Sequence, residues 1–273
     1  MNPDALADLP RPGPVAMLVG AVRVLAVLVL LVLGTVALVA AALVPVRPRG
    51  VRLAVWAAVG VCRALLAVTG TRVSVENRAA LRAHRGFVFF NHLSFLDPVV
   101  LMAAAPTRFL ATVGVRRIPF VGWIAQAAGT LFVNRGRDES REAARHALRA
   151  AVAEGITPVA LAPEGGIGPG PGVLPLRHGA FEVATDADAD ILLVVLRFEP
   201  PGYAVWNREL LIVPLWRLCA RTGPFTVRVA ALAPALETRP NGDAAADPEA
   251  LADEATRRFN RALEEGEFGE NAV

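Results

Sequence analysis

The apolar and polar positions of the chain fall into three zones. Residues 24–46 run for 23 positions without a charge, about the length a helix needs to cross a hydrocarbon core of roughly 30 Å. A cleaved leader has an apolar core of only about 7 to 15 residues, and a helix buried in a water-soluble core is rarely apolar on every face. The run therefore predicts a membrane segment. A second apolar stretch, residues 51–68, carries Arg52, Arg63 and Trp56. Those residues predict a helix lying in the membrane interface rather than a second span, with a re-entrant pairing of the two segments as the alternative.

Beyond residue 70, short apolar runs alternate with longer amphipathic ones, the pattern of a sheet with helices packed on it. Strands are expected near residues 87–90, 107–113, 129–133, 157–162, 191–198 and 225–231. The clearest helix is 139–154, where Ala144, Ala147, Leu148, Ala151 and Val152 recur at helical spacing between Asp138 as a cap and Gly155 as a stop. Residues 163–175, PEGGIGPGPGVLP, must form a loop directly after a strand. Loops at strand ends are where α/β proteins place binding groups. Residues 239–247 read as a solvated linker and 248–265 as an amphipathic helix. The expected division is a membrane anchor over 1–70, an α/β domain over 71–238, and a linker with its helix over 239–273.

Composition narrows the class. Hydrophobic residues make up 54% of the 273 positions and charged ones 19%, an apolar excess for a soluble protein that is concentrated in the membrane segment near the start. The 28 basic residues are all arginine and the net charge is +3. That balance suits an anionic lipid surface, and no nucleic-acid motif accompanies it. Two cysteines, Cys62 and Cys219, without CxxC spacing or a histidine cluster, argue against a disulfide framework and a metal site. Arg47, Arg49 and Arg52 follow the apolar run directly, so the rest of the chain is expected on the cytoplasmic face.

Candidate chemistry centres on FVFFNHLSFLD, residues 87–97. A strand ending at Phe90 leaves His92 on the connecting turn. Asp97, from the first turn of the next helix, can accept a bond from one imidazole nitrogen while the other takes a proton, the division of labour between a base and its orienting carboxylate. Ser94-x-x-Asp97 is also an ordinary capping box, and Asp97 before Pro98 is common at a helix start. Spacing allows a catalytic pair without requiring one.

Four blocks together carry a resemblance. NHLSFLD (91–97) is similar to the NHxxxxD signature of the glycerolipid acyltransferases, the family of 1-acylglycerol-3-phosphate acyltransferases and their relatives. GTLFVNR (129–135), APEGG (162–166) and LRHGAFEVA (176–184) resemble its later motifs in the same order. The resemblance implies an α/β fold with a mixed sheet flanked by helices, of the glycerol-3-phosphate acyltransferase type, behind an N-terminal membrane-embedded helical segment. It implies transfer of an acyl chain from acyl-CoA or acyl carrier protein to the free hydroxyl of a membrane lysophospholipid, with no cofactor or metal. His92 would be the general base and Asp97 its orienting group. Arg135 would grip the acceptor's phosphate, a task suited to a guanidinium fork. Asn91, Ser94, Glu164, Gly165 and Gly166 would help form the acceptor site, with Arg177 as a further anion contact.

The third block departs from the family pattern. A Glu-Gly-Thr-Arg sequence is usual there, and this chain has Glu164-Gly165-Gly166-Ile167, without the hydroxyl and the guanidinium. The fourth motif corresponds best to ILLVVLRF, 191–198, which lacks internal prolines. 1-Acylglycerol-3-phosphate remains the expected acceptor. A phosphodiester lysolipid or lyso-ornithine lipid is the alternative, and a non-catalytic lipid-binding protein or a hydrolase using Ser94 are further ones.

Overall fold

The computed structural model describes residues 9–134, 136–168, 170–203, 206, 209–240 and 244–265. Helix α1, Pro14–Leu43, is 30 residues long. A short turn at Pro48–Gly50 leads to α2, Leu53–Val68. Then follow β1 (Thr71–Glu76), α3 (Arg78–Ala83), β2 (Phe87–Phe90), α4 (Asp97–Ala104), β3 (Arg108–Thr112), α5 (Val113–Arg116), α6 (Val121–Ala127) and β4 (Leu131–Val133). The chain continues through α7 (Asp138–Ala153), β5 (Val159–Leu161), α8 (His178–Asp186), β6 (Ile191–Glu199), α9 (Ile212–Cys219), β7 (Phe225–Leu236) and α10 (Pro248–Glu265).

The described strands form one seven-stranded sheet in the order β1-β7-β6-β2-β5-β3-β4. Only β6 and β7 pair antiparallel, so the sheet is mixed, as expected. Both faces are covered, which explains strands that read as continuous apolar runs. Val88, Phe90, Val194 and Leu196 face one core layer with α2 and α4. Their neighbours Phe87, Phe89, Leu193 and Val195 face the other, with α7, α8 and α10. The six expected strands are present within a few residues of their expected limits. Strand β1, with Val73 and Val75 alternating with Arg72, Ser74 and Glu76, was not anticipated.

Two of the helices expected from the sequence pack an apolar face on the sheet. Helix α2 buries Ala54, Val55, Ala58, Val59 and Cys62 in the first core layer, while Arg52, Gly60, Arg63 and Ala67 on its other face are exposed. Helix α10 buries Leu251, Ala255, Phe259 and Leu263 in the second layer. Linker residues 241–243 lie outside the described residues.

Helix α1 begins ten residues earlier than the uncharged run, with Pro14 at its first turn, where a missing N–H costs nothing. It ends at Leu43, just before Pro45. One stripe packs on the domain through two glycines. A Cβ on Gly20 would come within 2.8 Å of the Ala220 Cβ, and one on Gly34 within 2.9 Å of Val61 Cγ2. Arg23 Nη1 donates to the Cys219 carbonyl at 3.1 Å. The opposite stripe, including Leu18, Val22, Leu25, Leu33 and Val36, is exposed.

Candidate functional site

Strand β2 is central in the sheet. Its chain leaves toward α4 in one layer, whereas that of the adjacent β5 leaves toward α8 in the other. Such a divergence opens a crevice beyond the carboxyl ends of the strands, the usual place for ligands in open α/β sheets. His92 stands on the first connection and Glu164 to Gly168 on the second.

The turn that carries His92 is held by side chains acting as backbone substitutes. Asn91 is 1% exposed. Its Nδ2 donates to the Leu196 carbonyl at 3.0 Å and its Oδ1 accepts the Leu196 N–H at 2.7 Å, so the amide prolongs the β2–β6 ladder by one rung. His92 N–H then donates to Glu164 Oε1 at 2.8 Å, and the His92 carbonyl accepts from Gly168 N–H at 2.6 Å. The imidazole Nδ1 lies 2.7 Å from Asp97 Oδ2. A carboxylate only accepts, so Nδ1 carries the proton and Nε2 bears the lone pair. The histidine side chain is 28% exposed and the aspartate 0%.

Asp97 takes the orienting role that the sequence allowed, and it does not cap α4, whose N-cap residue is Leu96. Its Oδ2 also accepts the N–H of Leu93 at 2.8 Å and of Ser94 at 3.0 Å, so one oxygen holds the turn ahead of α4 and orients the imidazole. The return half of the capping box is displaced: Ser94 Oγ accepts from Leu96 N–H at 3.2 Å. With Ser94 fully buried in that position, it has no access to a substrate carbonyl, and the hydrolase reading loses its nucleophile.

Glu164 is 4% exposed and its second oxygen, Oε2, accepts the Leu174 N–H at 2.8 Å. Burial pushes its carboxyl above the usual range, and the two N–H donors act against that shift. This carboxylate ties the 163–175 loop to the His92 turn. Gly165 has φ of 71°, and a Cβ there would run into the Arg177 side chain. Gly166 has no atom within 4 Å of its would-be Cβ, so space stands open where the family pattern expects a threonine. Arg177 is exposed, and its N–H donates to the Pro163 carbonyl at 2.9 Å. Arg135 lies outside the described residues.

The structure thus brings His92, Asp97, Glu164, Gly165 and Arg177 to one crevice, and sets Asn91 and Ser94 beneath it as buried supports. Sequence reasoning did not find Gly168 and Leu174, the backbone partners of His92 and Glu164. The Gly/Pro-rich composition of their loop announced binding groups, but nothing in it names which amide meets which carboxylate.

Comparison with known proteins adds an independent line. The acyltransferase family model matches residues 72–216. A 1-acyl-sn-glycerol-3-phosphate acyltransferase of Neisseria meningitidis is 32% identical over 136 residues, 50% of this chain and 53% of that protein. A lyso-ornithine lipid O-acyltransferase of Rhodobacter capsulatus is 30% identical over 159 residues, 55% of this chain and 56% of that one. The chain spans about half the length of these curated relatives. The crystal structure of a 1-acyl-sn-glycerophosphate (LPA) acyltransferase from Thermotoga maritima shares the fold, with a TM-score of 0.68 at 19% identity over 94% of this chain and 97% of that one.

Proposed function

The chain belongs to the acyltransferase family, and from that premise we propose that it moves a fatty acyl group from a thioester, acyl-CoA or acyl carrier protein, to the hydroxyl of a lysophospholipid, with His92 as general base. The observation that carries this reading is the His92–Asp97 pair at 2.7 Å, with Ser94, the nearby hydroxyl among the described residues, buried beneath it. Nε2 takes the proton of the acceptor hydroxyl as its oxygen attacks the thioester carbonyl. The tetrahedral intermediate expels the thiolate, and the imidazolium returns the proton to the departing sulfur. Asp97 holds the tautomer and offsets the transient charge on the ring.

For the acceptor we favour 1-acylglycerol-3-phosphate, giving phosphatidic acid. Relatives bearing that activity in their names support it, as does Arg177 beside a loop whose Gly165 and Gly166 let amides approach an anion. The open space at Gly166 and the apolar Ile167 favour a second reading, a bulkier or less charged head group such as a lyso-ornithine lipid, the acceptor in the names of other relatives.

Helix α1 is long and apolar enough to cross a bilayer. Its contacts at Gly20, Arg23 and Gly34 favour a different placement, with one stripe on the domain and the exposed stripe in lipid. A protein so anchored would meet acceptor and product by lateral diffusion, on the cytoplasmic face if the arginines after α1 follow the usual rule.

Turnover of a labelled acyl thioester by purified protein, with lysophosphatidate and lyso-ornithine lipid as competing acceptors, tests the reading. Acyl transfer that drops about 10²- to 10⁴-fold in His92→Ala, with the fold retained, supports it. No turnover by the wild type with any thioester, or undiminished turnover in the variant, defeats it.

A further inference from the structure

At the opposite ends of the strands from His92 lies a cavity of about 170 Å³, lined by Arg47, Arg52, Arg108, Glu154, Thr157 and the backbone around Gly50. Arg108 opens β3 and Thr157 precedes β5, so the cavity sits under the amino ends of the strands whose carboxyl ends frame the crevice. We propose that this cavity is an anion site for a phosphate group, presented by a lipid headgroup at the membrane boundary or by a soluble phosphate.

Charge is the first argument. Three guanidinium groups and one carboxylate line the cavity, leaving an excess of two positive charges. Arg108 donates to Glu154 through Nη1 at 3.2 Å and Nη2 at 2.5 Å. That bond, with weaker contributions from Arg52 and Arg47, holds the Glu154 carboxyl below its usual range despite some burial. Arg52 and Arg108 also converge on Gly129: Arg52 Nη2 comes within 2.7 Å, and Arg108 Nε within 3.8 Å, of the point where a Cβ on Gly129 would stand. Two cations brought that close, with one shared carboxylate to the side, favour a counter-anion.

Unmet hydrogen-bonding capacity is the second argument. Arg108 is 9% exposed and Thr157 3%. Among the described residues, Arg108 Nε and Thr157 Oγ1 are both buried without a hydrogen-bond partner, a state that costs stability unless something satisfies it. Helix α2 begins beside the cavity with Arg52 as its N-cap residue; Leu53 N–H donates to the Val46 carbonyl and Val55 N–H to that of Arg52, so the terminus adds the positive end of its dipole rather than open donors. A tetrahedral oxyanion in the cavity would draw its bonds from the exposed guanidinium groups of Arg47 and Arg52, and the cavity has room for one.

Position suggests the source. The loop that brings Arg47 and Arg52 follows the end of α1, where Leu43 is 81% exposed and Val44 and Val46 are exposed with it. Trp56 lies beside this loop, with Arg49 stacked 5.8 Å from its ring centroid. An aromatic ring and arginines next to exposed apolar side chains match the depth of phospholipid headgroups. The site would then seat the domain on anionic lipid at a point separate from the crevice.

The test uses the full chain in an uncharged detergent, with inorganic phosphate as the first probe and phosphatidylcholine vesicles with and without phosphatidylglycerol as the second. Phosphate is expected to raise the Tm above chloride at matched ionic strength. Arg52→Gln and Arg47→Gln should each need at least about tenfold more phosphate for the same shift, and Glu154→Gln less. Arg257→Gln, on the exposed face of α10, should respond like the wild type. If Arg52→Gln also loses the gain in vesicle binding from phosphatidylglycerol, the anion is a headgroup; if it loses only the phosphate response, the anion is soluble. Either result upholds the site. A Tm that does not distinguish phosphate from chloride, or an Arg52→Gln response equal to the wild type, overturns it.

Discussion

Glu164 Oε1 accepts the backbone N–H of His92 at 2.8 Å across 72 residues of sequence, and its other oxygen holds Leu174. Glu164 therefore acts on the base through its backbone and is a positioning residue. In Glu164→Gln one amide oxygen remains and the NH₂ group faces a second N–H, so one donor loses its acceptor. Raised by burial, the Glu164 pKa makes the charged form a cost that grows as pH rises through the folded value; at neutral pH glutamine removes that cost. The Tm should change little while kcat falls about tenfold or more. A fall in Tm with kcat intact would mean that the residue is merely structural.

Asp97→Asn is expected to impair acyl transfer by at least about 10²-fold, because an amide can present a donor to Nδ1 and release the wrong tautomer. Oδ2 also accepts the N–H groups of Leu93 and Ser94, so a drop in Tm should accompany the loss. Kinetics and thermal unfolding on one preparation check both; normal turnover in the variant contradicts the assignment.

Ile167→Arg restores the guanidinium that the family pattern has after Glu-Gly-Thr. The expected outcome is a several-fold rise in kcat/KM for lysophosphatidate relative to lysophosphatidylglycerol, since a phosphomonoester carries close to two charges near neutral pH. Competition between the two acceptors measures it. An unchanged ratio would place the acceptor phosphate away from this loop.

His84 supplies a pH dependence of stability. Burial pushes its imidazole below the usual range, while Nε2 lies 2.8 Å from the Phe87 carbonyl and Asp190 acts in the opposite sense. With the folded pKa depressed, the unfolded chain takes up the proton first. The stability is present above about pH 6.5 and is lost as pH falls from there through the folded value. The Tm of His84→Gln should therefore decline less steeply than the wild type between about pH 7 and 5. Parallel declines would rule out this histidine as the source.

Gly34→Leu tests how α1 is seated. A side chain there must displace Val61 or lift the helix from α2. The variant should stay in the membrane pellet after alkaline extraction, because the exposed apolar stripe is untouched, yet show a lower Tm and faster proteolysis between α1 and α2. Unchanged proteolysis would mean that α1 does not rest on the domain.

Much of this was already fixed in the order of residues. Apolar runs such as Phe87–Phe90 and Ile191–Glu199 had to be strands covered on both faces, because period and composition act locally and leave little choice. The five-residue offset from His92 to Asp97 likewise made their pairing possible within a single turn. Short β1 went unseen because its alternation becomes informative only once β7 lies beside it. Helix α2, read as interfacial from its composition, rests one face on α1, α4 and the sheet, and no local pattern distinguishes lipid from protein as the apolar partner of that face. Tertiary structure alone decided that Glu164 meets His92, that Asn91 completes a rung with Leu196, and that arginines from residues 47, 52 and 108 share one cavity. Those contacts join segments tens of residues apart, and for Glu164 and Asn91 the partners are backbone groups that every residue carries, so side-chain identity could not mark them in advance.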